Sequence, residues 1–132
     1  MAVDVKHIQH GDYLEIVVTG SYDLNDAINK FSYVLEACRQ TGLDKVLIDF
    51  RELQREDSAT IKSLYAFGVE NQYRKYLDSG GHELQVAYVG PIVMSYEPGM
   101  EVAEQRKLPF KLFDNPKEAL EWLNVKSEIR LL

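Results

Sequence analysis

The chain reads as a single α/β domain: a mixed, mainly parallel sheet with flanking helices, in the order β-β-α-β-α-β-α-β-α. Three observations predict this. Two strand-like runs joined by a glycine turn open the sequence. After them, short stretches of branched apolar residues alternate with longer stretches of helical period. The length, 132 residues, is that of one ordinary domain able to bury a real core. Strands that are each followed by a helix require right-handed crossovers, and so parallel neighbours.

Residues 3–9 and 13–20 form the opening hairpin around His10-Gly11-Asp12; YLEIVVTG supplies the branched residues and Gly11 suits a tight turn. The period then changes. Leu24, Ala27, Ile28, Phe31, Val34, Leu35 and Cys38 recur at helical spacing, behind Asp23 as N-cap and ahead of Gly42 as stop. KVLIDF, 45–50, is nearly all apolar, as a strand covered on both faces must be. A second helix runs from about Ser58 to Leu77, with Ile61, Leu64, Tyr65, Gly68, Val69, Tyr73 and Tyr76 along one side, and Ser79-Gly80-Gly81 ends it. LQVAYVG, 84–90, is another buried strand, stopped by Gly90-Pro91. Pro98 and Gly99 then call for a loop followed by a short helix from about Pro98 to Lys107. FKLF, 110–113, is the last strand. Asn115-Pro116-Lys117-Glu118 supplies an N-cap, a proline at the first helical position and a glutamate three residues past the cap. Ala119, Leu120 and Leu123 give that helix its apolar face, with Trp122 beside it. The domain spans residues 1–132, with 124–132 an unassigned tail.

Composition removes several function classes. Hydrophobic residues at 45% and charged residues at 27% are globular values, against wholesale disorder. A net charge of −6 opposes both a sequence-independent grip on nucleic acid and docking on an anionic membrane. No apolar run approaches the roughly 18 residues of a membrane span, so a soluble, cytoplasmic protein without membrane insertion is expected. Cys38, the single cysteine, lies on an apolar helix face and reads as an inert core thiol. Neither GxxxxGK[ST] nor GxGxxG occurs, and His7, His10 and His82 lack metal-ligand spacing and read as solvated. No catalytic residue, metal or cofactor is assigned.

Two places invite function. VLIDFRELQREDSATIKSLYAF, 46–67, passes from a buried strand through a charged stretch to a helix that should begin at Asp57-Ser58. A hydroxyl there can cap the helix, contributing about 1 kcal/mol. It can also present a phosphate to the free N–H groups and positive end of the helix dipole. The residues leave both readings open. Asp49, at the end of VLIDF, reads as an acceptor that organises the following loop. The second place is aromatic. Tyr65, Phe67, Tyr73 and Tyr76 suit helix-to-sheet packing or the wall of a pocket. Tyr65 with Tyr88, Met94, Tyr96 and Met100 would gather near the carboxyl end of the fourth strand, where open α/β sheets bind ligands.

Element order and three segments together resemble the STAS domain, the family named for sulfate transporters and anti-sigma factor antagonists. VLIDF resembles the family's central strand ending in aspartate. Asp57-Ser58-Ala59-Thr60-Ile61 resembles its Asp-Ser-Ser-Gly-Leu helix start, with Thr60 in place of glycine and Arg55-Glu56 where apolar residues are usual. LPFKLFDNPKEALEWL resembles its last strand and helix, and the EALEWL ending looks most like the SpoIIAA-like group. The resemblance implies that Ser58 is a phosphoacceptor for a partner kinase, with Asp57, Ser58, Thr60 and Ile61 contacting a protein partner such as an anti-sigma-like regulator. The expected function is a non-enzymatic regulatory or protein-interaction module. The alternative is a binding protein for a small apolar or lipid-like molecule at the Tyr65, Tyr88, Met94, Tyr96 and Met100 cluster. An edge strand of the opening hairpin also offers a route to a homodimer.

Overall fold

The computed structural model describes residues 3–21, 23–54, 59–90 and 98–125, the side chains at 54, 59–62 and 98–101 excepted. Five strands, β1 (Val3–Gln9), β2 (Leu14–Ser21), β3 (Lys45–Gln54), β4 (Gln85–Val89) and β5 (Phe110–Phe113), form one sheet in chain order. β1 runs antiparallel to β2, and the remaining neighbours are parallel. Right-handed crossovers that always step the same way place their helices on one face of the sheet. Those helices are α1 (Leu24–Thr41), α2 (Ala59–Asp78) and α3 (Pro98–Gln105); α4 (Pro116–Leu123) follows β5.

The two cores show the layering. Phe31 and Cys38 of α1, Val69 and Tyr73 of α2 and Ala103 of α3 pack with Leu14, Ile16, Val46, Ile48, Val86 and Tyr88. On the opposite face, Ala119, Leu120 and Leu123 of α4 pack with Tyr13, Leu47, Ala87 and Val89. Neighbours such as Val46, Leu47 and Ile48 thus serve opposite cores in turn, the period of two that a strand imposes. Each fully buried aliphatic side chain of this kind contributes about 1.5–3 kcal/mol. α4 packs against β3, β4 and β5. Over β1 and β2 that second face is open to water: Asp4, Lys6 and Ile8 are exposed, and Glu15 is half-buried.

Helix ends follow the capping chemistry. The Asp23 carboxylate accepts the Asp26 N–H at 3.0 Å, and Gly42, at φ 76°, returns its N–H to the Cys38 carbonyl. Asn115 accepts the Glu118 N–H at 2.9 Å ahead of Pro116. No helix among the described residues is long and apolar enough to cross a membrane.

One boundary differs from the sequence expectation. β3 continues past Phe50 to Gln54, because its pairing with β2 resumes after a bulge. Val17 pairs with Asp49 and Thr19 with Glu52, so Phe50 and Arg51 together face Val18. The charged composition of RELQ hid this, since the sheet face it borders is open to water.

Gly68 sets how closely α1 and α2 approach. A Cβ there would lie 2.4 Å from Ile28 Cδ1, 2.8 Å from Cγ1 and 3.1 Å from Cγ2. A β-branched side chain is stiff at χ1, so the contact cannot be relieved by one methyl group alone. Gly68→Ala should therefore lower stability by about 1 kcal/mol in urea unfolding, overpacking outweighing the better helix propensity. Ile28→Val should recover part of the loss, a coupling that a double-mutant cycle reads directly.

Candidate functional site

In chain order the two candidate regions follow β3 and β4, and only part of each is among the described residues. Asp57 and Ser58 fall outside the described residues, between the end of β3 and the start of α2; Arg55 and Glu56 do too. Thr60 and Ile61 occupy the first turn of α2. Met94 and Tyr96 also fall outside the described residues, and Met100 lies in α3.

Tyr65 and Tyr88 are brought together. Their hydroxyls are 3.0 Å apart, and their rings meet edge-on at 6.2 Å. Tyr88 also meets Phe50 and Phe110, each at 6.3 Å, and Phe110 meets Tyr73 at 5.5 Å. Gly90 makes room for this packing, because a Cβ there would lie 2.3 Å from Phe50 Cε2. The described part of the cluster is thus rings in mutual contact. Burial pushes the Tyr65 phenol up to about 12, and the hydrogen bond with Tyr88 only partly offsets it. The neutral Tyr65 phenol is a structural tie to Tyr88 at physiological pH.

The bulge in β3 carries its own polar arrangement. Asp49 Oδ1 accepts the Arg51 backbone N–H at 3.1 Å and Nε at 2.9 Å, while Oδ2 accepts a guanidinium nitrogen at 2.7 Å. Asp49 is therefore an acceptor for the backbone, within a strand. Burial works to raise its pKa, but the hydrogen bonds and charge of Arg51 outweigh that and hold it below the ordinary carboxylate value. The bidentate geometry is the strong form of such a pair.

Sequence reasoning placed several side chains differently. Leu64 was expected on the packed side of α2; instead it is 45% exposed, and Phe67 is 42% exposed. Positions 65, 69, 73 and 76 take the inward stripe, which turns Leu64 and Phe67 away from the sheet. Arg106, in the turn just past the end of α3, lies over the Phe67 ring at 5.1 Å. Beside it the buried Glu70 carboxylate meets Arg74 at 2.9 Å and Arg106 at 3.8 Å, tying α2 to that turn. The histidines are not simply solvated. His10 pairs with Glu15 at 2.8 Å and stacks on Tyr13, and His82 donates from Nε2 to the Leu43 carbonyl at 2.9 Å. His82 and Leu43 are 39 positions apart, a pairing that no local pattern announces. Among the described residues, no three His, Cys, Asp or Glu side chains come together as metal ligands.

Known structures share this architecture. A crystal structure of an anti-sigma factor antagonist from Mycobacterium paratuberculosis superposes with a TM-score of 0.58 at 14% identity, over 94% of this chain and 96% of that one. The anti-sigma factor antagonist SpoIIAA in its unphosphorylated form gives 0.53 at 12% identity, over 94% and 100%. The fold is SpoIIAA-like. An uncharacterised protein of the DUF3478 family from Shewanella loihica, itself described as SpoIIAA-like, gives 0.52 at 21% identity, over 92% and 93%. No protein-family model matches this chain, and no curated protein matches its sequence. The SpoIIAA-like fold expected from element order and the three matching segments is the one observed.

Two measurements test the buried groups. Tyr88→Phe removes the hydrogen-bond partner of the Tyr65 hydroxyl and should cost about 1–3 kcal/mol in denaturant unfolding; removing both hydroxyls should cost less than the sum of the two single changes. Burial, aided by the Asp44 charge, also pushes the Cys38 thiol from 9.0 up to about 12. In the unfolded chain such thiols and phenols ionise near 9 and 10, whereas the fold holds these two neutral. Their stabilisation is complete below pH 9 and is lost as pH rises toward about 12. The unfolding midpoint should fall across that window.

Proposed function

We propose that this SpoIIAA-like domain is a non-enzymatic regulatory module that binds a protein partner on the first half of α2, with Ser58 as a phosphorylation switch. The observation that carries the reading is the pair of large apolar side chains, Leu64 and Phe67, exposed one turn apart just after Asp57-Ser58. An anti-sigma-like regulator would cover these side chains, and a partner kinase would act on Ser58. Two of the structural neighbours are described as anti-sigma factor antagonists, which supports this class of partner.

The charge around the helix start suits a switch. Asp49, Glu52, Glu56 and Asp57 oppose Arg51 and Arg55, and Asp49 already holds the Arg51 guanidinium. A phosphate at Ser58 would add roughly −1.5 to −2 to this acidic stretch. Helix N–H groups would accommodate it within the chain, while an acidic partner surface would be repelled. The alternative, a small apolar ligand among Tyr65, Tyr88, Met94, Tyr96 and Met100, has weaker support, since Tyr65, Tyr88 and Phe50 fill space against one another.

Affinity capture from the protein's own cells tests the switch. Ser58→Asp should weaken partner binding about tenfold or more, Ser58→Ala should preserve it, and Phe67→Glu should abolish it with the fold intact. Equal capture by the two Ser58 variants would sink the switch. Intact mass separates the alternative: a phosphoryl group survives denaturation and disappears in Ser58→Ala, whereas a noncovalent ligand adds mass only under native conditions.

A further inference from the structure

We propose that the chain forms a two-fold homodimer in which β1 pairs antiparallel with β1 of a second copy, Val5 against Val5 and Asp4 against Lys6. The starting point is an open sheet edge. β1 is flanked by β2 on one side, and among the described residues no strand takes the other. His10 N–H donates to the Tyr13 carbonyl across the turn at 2.9 Å, which sets the alternation along β1. Asp4, Lys6 and Ile8 direct their backbone groups at β2; Val3, Val5, His7 and Gln9 direct theirs out of the sheet. Val3 conforms, since its N–H donates to the Asp26 carboxylate of α1 at 3.0 Å and not to β2. That cap covers one end of the edge. Among the described residues, nothing in the chain takes up the outward groups of Val5 and His7.

The second copy is selected by charge. A sheet that continues through a two-fold axis pairs residues of the same face, so the axis must pass at a residue of β1. Placed at Asp4, it sets two carboxylates together, and placed at Lys6, two ammonium groups. Placed at His7, it sets Lys6 against Ile8. Only Val5 gives opposite charges, with Asp4 facing Lys6 on each side of the axis. These are non-hydrogen-bonded positions, where cross-strand side chains approach most closely. Val5 then exchanges N–H···O bonds with its own copy, and His7 N–H reaches the Val3 carbonyl opposite. Among the described residues, neither Asp4 nor Lys6 has an ion-pair partner within its own chain. Their exposure leaves both available to the partner. This surface is separate from the α2 face and does not rest on the Ser58 reading.

Sedimentation equilibrium of the purified full chain tests the dimer. Lys6→Asp and Asp4→Lys should each weaken dimerisation about tenfold, with an unchanged circular dichroism spectrum, and the double exchange should restore it. Cysteine substitution reads the register. Cys38 is fully buried, so a new edge cysteine is the one thiol open to oxidation. Val5→Cys should form a disulfide-linked dimer, because hydrogen-bonded cross-strand Cα atoms lie about 5.5 Å apart, within disulfide reach. His7→Cys should not. A chain monomeric at every concentration, a double exchange that fails to restore association, or cross-linking through His7→Cys in preference to Val5→Cys would each overturn the proposal.

Discussion

The domain depends on two central strands that are apolar on both faces. Val46, Ile48, Val86 and Tyr88 serve one core; Leu47, Ala87 and Val89 serve the other. Without side chains for both layers, α4 would have nothing to cover, and α1 to α3 would pack on a sheet exposed behind. The strand order follows from the same constraint. Strands buried on both sides belong at the centre, and the opening hairpin, with its charged outer face, is left at the edge.

α2 meets more demands than any other helix. Its inward stripe fills the larger core, Gly68 brings it close to α1, and Glu70 ties it through Arg106 to the turn that follows α3. Leu64 and Phe67 remain toward solvent. A helix anchored on three sides presents its fourth at small entropic cost to binding, because little ordering remains for a partner to impose. The Tyr65–Tyr88 tie adds to this anchoring near the end from which the regulatory reading draws its contacts.

Element type and order were legible because periodicity reports burial directly. VLIDF and LQVAYVG could be little else than doubly covered strands, and Asn115-Pro116 marks a helix start by its own chemistry. The far half of β3 was not legible, since RELQ borders an open face and its charges read as loop. Leu64 was misplaced because one apolar residue beside a stripe looks the same whether it faces the sheet or solvent. The partners of His10 and His82 were hidden for another reason: they are made by tertiary approach. Of the candidate site, the Tyr65–Tyr88 contact emerged from reasoning about strand ends, whereas Ser58 rests on its neighbours in sequence alone.

The extra residue in β3 acts as a phase correction. In an uninterrupted strand, Asp49 and Glu52 would point to opposite faces, and Leu53 would share the face of Asp49. With Phe50 and Arg51 both set against Val18, the alternation is reset by one step. Asp49 and Glu52 then share the side of Val17 and Thr19, their partners in β2, while Leu53, beside Gly20, lies on the helical side. The Asp49 carboxylate holds the Arg51 N–H at this step, so one side chain both marks and secures the reset. Leu53 is thereby turned toward the layer in which α2 lies, and Glu52 away from it. An insertion or deletion here would do more than change a strand length: it would exchange the two, setting a carboxylate against the helices and a leucine toward water.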